Sequence, residues 1–284
     1  MPKHRLVAVV VATFALAAVA LNAVLSATAA DPRLASGGPT PRGLPPHAAA
    51  IVADAADGTV LYADHDRRSL AVASTTKLMT ALVALERLPL DDVVAAPAYA
   101  AAGDESTIGL QSGERMTVGD LLIGLLVASG NDAAHALAVA AAGSEPAFVA
   151  LMNERAAQLG MRDTRYADAS GLDPASRSSA ADLVAVTRAL RRHRFFRATV
   201  AARTVVLRSG AWKRTLHSTN DLLGGALGVD GVKTGHTRAA GYVLVGSATR
   251  RGRAVVAVVL GARSERDRDE ATARLLRYGL RRLR

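Results

Sequence analysis

The chain has 284 residues, 50% of them hydrophobic and only 4% aromatic, enough for one substantial core packed mainly from aliphatic side chains. It contains no cysteine, which excludes a disulfide framework, a thiolate zinc site and a cysteine nucleophile. The formal charge of +10 comes almost wholly from arginine, since lysine occurs only at Lys3, Lys77, Lys213 and Lys233.

Lys3, His4 and Arg5 form a short positive region before an apolar run from Leu6 to Leu21, and Ala27-Thr28-Ala29 follows as an A-x-A site. This pattern predicts an export signal over residues 1–30. An uncleaved anchor is the alternative, because the run approaches the ~20 residues that span a bilayer. Either reading places the domain outside the cytoplasm. Residues 31–46 carry five prolines with Gly37 and Gly38, which predicts an extended linker. A single domain is expected over 47–284.

Ala48-Asp54 and Thr59-Asp64 read as strands of a hairpin around Asp57-Gly58. A helical pattern runs after Ser74 through Leu78, Leu82 and Leu85 and stops before Pro89. Further helices are predicted over Thr117-Val127, with Thr117 as cap, and over Asp132-Ala142, Pro146-Leu159 and Ser179-Arg192. Thr204-Arg208, Gly231-Thr234, Gly241-Thr249 and Arg253-Gly261 read as strands, and Glu265-Leu283 as a closing helix with Leu276, Leu280 and Leu283 on one stripe. Strands at both ends of a helical middle predict an α+β fold, an antiparallel β-sheet flanked by helices.

Scarce lysine draws attention to where it is used, because a desolvated lysine can act as a base and arginine cannot. Ser74-Thr75-Thr76-Lys77 opens a predicted helix, so hydroxyl and amine share one face while the helix N-terminus offers N–H donors to an oxyanion. A neutral lysine beside a serine is a nucleophile and base that need no histidine. Ser129-Gly130-Asn131 lies between two helices, where the glycine lets the chain turn so that Ser129 and Asn131 face a cleft. Lys233-Thr234-Gly235-His236 lies on a strand. There Lys233 and Thr234 suit a carboxylate, and Gly235 admits a substrate backbone along the sheet edge. Each motif alone is weak, but Ser-x-x-Lys, Ser-Asp-Asn and Lys-Thr-Gly in this order mark penicillin-binding proteins and class A β-lactamases, here with Ser-Gly-Asn in second place.

With these motifs, and with Leu159-Gly160-Met161, Ser170-Gly171-Leu172-Asp173 and the run Val229 to Thr237, the chain resembles the low-molecular-mass penicillin-binding proteins, the serine-type D-Ala-D-Ala carboxypeptidases. The resemblance covers roughly His47 to the end. It implies that Ser74 attacks the carbonyl between two D-alanines, that Lys77 takes its proton, and that Ser129, helped by Asn131, relays a proton to the leaving amine. It also implies an oxyanion hole from the Ser74 and His236 N–H groups and a carboxylate grip by Lys233 and Thr234. The implied partners are peptidoglycan peptides ending in D-Ala-D-Ala, with β-lactams as covalent inhibitors. No metal or cofactor is required. Some relatives carry an arginine in the stretch matching Ser218-Thr219-Asn220, absent here, which shifts the grip toward Thr234 and Arg238. Larger relatives append a β-rich domain and a membrane-binding helix, which are not expected in this chain.

His135 reads as a packing residue, and His65 and His217 lack partners at metal-ligand spacing. Basic residues are scattered rather than interleaved with aromatics, so no nucleic-acid partner is expected. Arg281, Arg282 and Arg284 read as a solvated helix face, with membrane-surface contact as the alternative. Three rival functions stand: a β-lactamase, a D,D-endopeptidase with the same residues, and a non-catalytic envelope-binding protein. The only glutamates between Ser129 and Lys233 are Glu145 and Glu154, and neither begins the E-x-x-L-N string of a deacylating loop.

Overall fold

The computed structural model describes residues 48–103 and 105–283, together with Pro41. The expected export signal and nearly all of the expected linker lie outside the described residues. Strands β1 (Ala49–Asp54) and β2 (Val60–Asp64) form the first hairpin. β3 (Leu70–Ala71) leads through a 3₁₀ turn over Ala73–Thr76 into α1 (Lys77–Arg87). β4 (Val93–Ala95) and β5 (Arg115–Thr117) pair across a long loop and deliver the chain to α2 (Val118–Val127), α3 (Asn131–Ala142) and α4 (Glu145–Gln158). β6 (Arg177–Ser178) returns to β3, followed by α5 (Ala180–Leu190) and α6 (Arg194–Val200). β7 (Thr204–Val206) and β8 (Thr215–His217) make a small ribbon. β9 (Val229–Thr237), β10 (Gly241–Arg250) and β11 (Arg253–Ala262) meander into α7 (Glu265–Arg282).

Five strands build one antiparallel sheet in the order β2-β1-β11-β10-β9. Side chains alternate across a strand, and this alternation divides the core in two. Ile51, Ala53, Val256, Val258 and Leu260 pack against the helices between the sheet's two sequence halves. Val52, Val255, Ala257 and Val259 pack against Leu275, Leu276 and Tyr278 of α7. Central β11 is therefore apolar on both faces, and its sequence is a continuous aliphatic run. Edge strand β9 keeps its free edge for the site.

The helix starts obey local chemistry. Thr117, Ser144, Ser179 and Ser264 each accept the N–H three residues on, a cap worth ~1 kcal/mol. The expected α+β architecture is the one observed. Helix α6 and the paired fragments β3–β6 and β4–β5 were not predicted. Seven residues give too few turns to show a helical period, and two- or three-residue strands give no alternation.

Candidate active site

Ser74 sits in the 3₁₀ turn rather than in α1, which begins at Lys77. This corrects the expected helical start and tightens the geometry, because residues three apart eclipse in a 3₁₀ turn. Ser74 Oγ lies 3.0 Å from Lys77 Nζ. Lys77 is completely buried, and its amine also donates to Asn131 Oδ1 at 2.6 Å and to the Ser170 carbonyl at 2.7 Å. Burial pushes the ammonium down from 10.5 to about 7, although Asp168, Glu105 and Asp132 pull the other way. A neutral amine has two N–H bonds and one lone pair. The two carbonyl oxygens take the N–H bonds, leaving the lone pair for the Ser74 hydroxyl.

Asn131 is the first residue of α3 and is itself held from behind. Its Nδ2 donates to Glu105 Oε2 at 3.1 Å, and Glu105 also accepts from the Tyr99 hydroxyl and the Ala102 N–H. Burial works against ionisation of Glu105, but these hydrogen bonds keep its carboxyl below the usual range. Asp132 turns the other way and accepts the backbone N–H groups of Ile108 and Leu110, pinning the loop that carries Glu105. The turn of the second motif is made by Ser129 at φ 64°, while Gly130 has φ −59°. The expected role of Gly130 is thus corrected. A Cβ there would meet Asp132 Oδ1 at 2.9 Å and Ile108 at 3.1 Å, so glycine is needed for close packing. Ser129 is buried next to Asn131 in a backbone conformation that costs a serine energy, as at many functional sites.

The third motif lies on β9 against the nucleophile's own backbone. A Cβ at Gly235 would stand 2.9 Å from Ser74 N and 3.1 Å from Ala73 Cβ. The expectation that this glycine admits substrate is therefore corrected in part: first it admits the Ser74 turn. Ala73 has φ 46°, a second strained non-glycine residue at the site. Lys233 is buried and donates to the Thr234 carbonyl at 2.9 Å. Burial, then the charges of Lys77 and Arg268, drive its ammonium well below 10.5. Thr234 Oγ1 lies 2.5 Å from Thr219 Oγ1, which brings the Ser218-Thr219-Asn220 stretch against the third motif. His236 is exposed, its ring 4.1 Å from that of Tyr242, and Arg238 is exposed beyond it.

The sequence profile of the D-alanyl-D-alanine carboxypeptidase family matches residues 46–264. The chain belongs to this family. D-alanyl-D-alanine carboxypeptidase DacD of Salmonella typhimurium is 36% identical over 250 residues, covering 81% of this chain, which spans 61% of that protein's length. Penicillin binding protein 6B from Escherichia coli is 34% identical with a TM-score of 0.78, over 85% of this chain and 79% of that one. Penicillin-Binding Protein D2 from Listeria monocytogenes, solved in its ampicillin-bound form, is 33% identical with a TM-score of 0.73, over 82% of this chain and 96% of that one.

Within this member of the family, sequence reasoning missed three groups. Asp168 gathers the loop 168–176 by accepting from Ser170 Oγ, Gly171 N, Leu172 N and Ser176 Oγ, and so aims the Ser170 carbonyl at Lys77. The Asp-x-Ser-Gly string was a usable turn signal. Glu105 and Tyr99 lie far from any motif in the chain and carried no signal. His135 packs as expected, with Nδ1 2.6 Å from Glu145 Oε2 and its ring against Tyr99. His65 pairs with Asp64 and His217 with Thr204.

Proposed function

We propose that this chain is a serine D-Ala-D-Ala carboxypeptidase that works on the extracytoplasmic side and trims peptidoglycan stem peptides through an acyl-enzyme on Ser74. One observation carries the reading: a buried amine poised near neutrality lies 3.0 Å from a partly accessible hydroxyl. Lys77 takes the Ser74 proton as Oγ attacks the carbonyl between the two D-alanines. The N–H groups of Ser74 and His236 receive the oxyanion, a contribution typically worth ~3 kcal/mol per donor. Ser129, oriented beside Asn131, passes a proton to the departing D-alanine amine. Water then attacks the ester and restores Ser74. Thr234, with Thr219 against it, donates its hydroxyl to the terminal carboxylate, and the Lys233 amine lies behind it in the strand. The N-terminal charge, apolar run and A-x-A site support export.

Glu145 and Glu154 bear on the β-lactamase alternative. Both Glu145 oxygens are engaged, one by His135 and one by the Ala169 N–H, and Glu154 is exposed on α4. The engaged carboxylate of Glu145 is not free to activate a deacylating water, which favours a carboxypeptidase that β-lactams inhibit. The test compares the native chain with Ser74→Ala, using fluorescent penicillin and a diacyl-Lys-D-Ala-D-Ala peptide. Covalent label and D-alanine release in the native chain, both lost in the variant, are expected. A native chain that takes no label is a relic site and ends the proposal. Cleavage confined to cross-linked muropeptides reassigns it as an endopeptidase.

A further inference from the structure

Two adjoining cavities open at the far end of the sheet from Ser74. One, of about 860 Å³, is lined by six arginines against two carboxylates, Asp54 and Glu86. The other, of about 630 Å³, is lined by five arginines and three leucines and, among the described residues, by no carboxylate, and Arg253 and Leu283 belong to both. Lys233 faces Val245 across the β9–β10 ladder, whereas Arg250 faces Arg253 five residues further along β10, about 16 Å away at strand rise. Helix α1 gives the same result, since Lys77 begins it and Glu86 lines the first cavity some 13 Å along the axis at ~1.5 Å per residue. A ligand seated here leaves the catalytic cleft open.

The charge in this groove is largely uncompensated. Arg155 pairs with Glu86 and Arg191 with Asp230. Arg253 reaches only the Leu283 carbonyl oxygen, which satisfies a donor without cancelling charge, while Arg188 donates to the Ala55 and Ala56 carbonyls with the Asp57 carboxylate near enough to interact electrostatically. Among the described residues the guanidinium groups of Arg192, Arg250, Arg251, Arg277 and Arg281 are exposed with neither hydrogen bond nor ion pair. No acidic residue occurs between Asp230 and Glu265, or after Glu270. A helix C-terminus favours cations, which accounts for the α7 arginines but not for those on the hairpin. At the hairpin tip Arg251 has φ 51° and Gly252 φ 76°, a turn that prefers Asn-Gly, so arginine is carried there against local preference at a cost of ~1 kcal/mol.

We propose that this groove docks a flexible anionic polymer with phosphodiester charges along a polyol backbone. Guanidinium groups match phosphate oxygens bidentately, and a row of unpaired ones matches repeated charge. The surface is concave and its leucines are half-buried. The exposed large hydrophobic residues Val93, Leu172, Val206 and Trp212 all lie elsewhere, so nothing here is built to enter a bilayer. Among the described residues no phenylalanine, tyrosine or tryptophan lines either cavity, so these offer bases no stacking platform.

The experiment titrates the purified chain with poly(glycerol phosphate) at low and high salt, with dextran as the uncharged control. Phosphatidylglycerol vesicles and a single-stranded oligodeoxynucleotide serve as competing sources of phosphate. The variant Arg192→Glu/Arg251→Glu/Arg281→Glu changes exposed side chains without partners. The wild type is expected to bind poly(glycerol phosphate) tighter than either competitor and to lose affinity with salt. The variant is expected to bind about tenfold more weakly or worse, with penicillin labelling of Ser74 unchanged. Equal binding by the variant, binding no better than dextran, or preference for vesicles or the oligonucleotide overturns the proposal.

Discussion

In the proposed mechanism, chemistry at the Ser74 site turns on a single proton. Lys77 must be neutral to take the serine hydrogen, and its value of about 7 places that change near physiological pH. Penicillin acylation of Ser74 should therefore rise about tenfold per pH unit below that value and level off above it, read as second-order rates across a buffer series. Asn131→Asp sets a carboxylate where Oδ1 now stands, 2.6 Å from the amine. An opposite charge favours the ammonium, so the midpoint should move about one unit or more alkaline. An unmoved midpoint would show that another group titrates. The motif serine and lysine were legible in sequence because three-residue spacing fixes their proximity. The charge state of Lys77 was not, because it depends on burial beneath Asn131 and Ser170, 54 and 93 residues away.

Among the elements, the site is assembled by segments pressed against one another through glycines. A Cβ at Gly171, where φ is 87°, would stand 1.9 Å from the Ala73 carbonyl oxygen and 2.8 Å from Thr76 Oγ1. Gly171→Ala should cost about 2–3 kcal/mol in urea unfolding and slow acylation as well, because the displaced atoms adjoin the nucleophile. The loop carrying Glu105 is tied to the β7–β8 ribbon by another device. Arg214 grips Glu114 with two nitrogens while donating to the Ile108 and Gly109 carbonyls, and both side chains are at most 5% exposed. The Arg214 hydrogen bonds, against burial, hold Glu114 down to about 2. This stabilisation is present above the ordinary 4.5 and fades as pH falls through about 2. Glu114→Gln leaves a buried guanidinium uncompensated and should lower stability by about 3 kcal/mol by denaturant melt. Helix caps and aliphatic strands could be read from sequence because they are local. Helix α6 and the β3–β6 and β4–β5 fragments could not, because their pairing exists only once the chain has folded back.

Across the whole molecule, two ends of one sheet carry opposite specialisations. A strained, buried, partly acidic surround encloses Lys77 at one end, and exposed arginines fill the other. In the proposed mechanism acyl transfer and release are governed at the first end, where both oxygens of Glu145 are already engaged. Benzylpenicillin should thus give a stoichiometric burst followed by turnover at least about a thousandfold slower than acylation, measured by stopped-flow and product release. Fast steady turnover would return the β-lactamase reading.

The amino-acid order alone determined the reactive residue types, their order along the chain, the α+β class and most element boundaries, because spacing and capping act over a few residues. Tertiary structure decided what those residues can do. Meeting of β1 with β11 joined the chain's two halves, long-range burial lowered the Lys77 amine, and the Glu105 and Asp168 loops aimed its acceptors. Such effects arise from contacts between segments tens of residues apart, where dielectric and geometry are set jointly rather than by any one stretch of sequence.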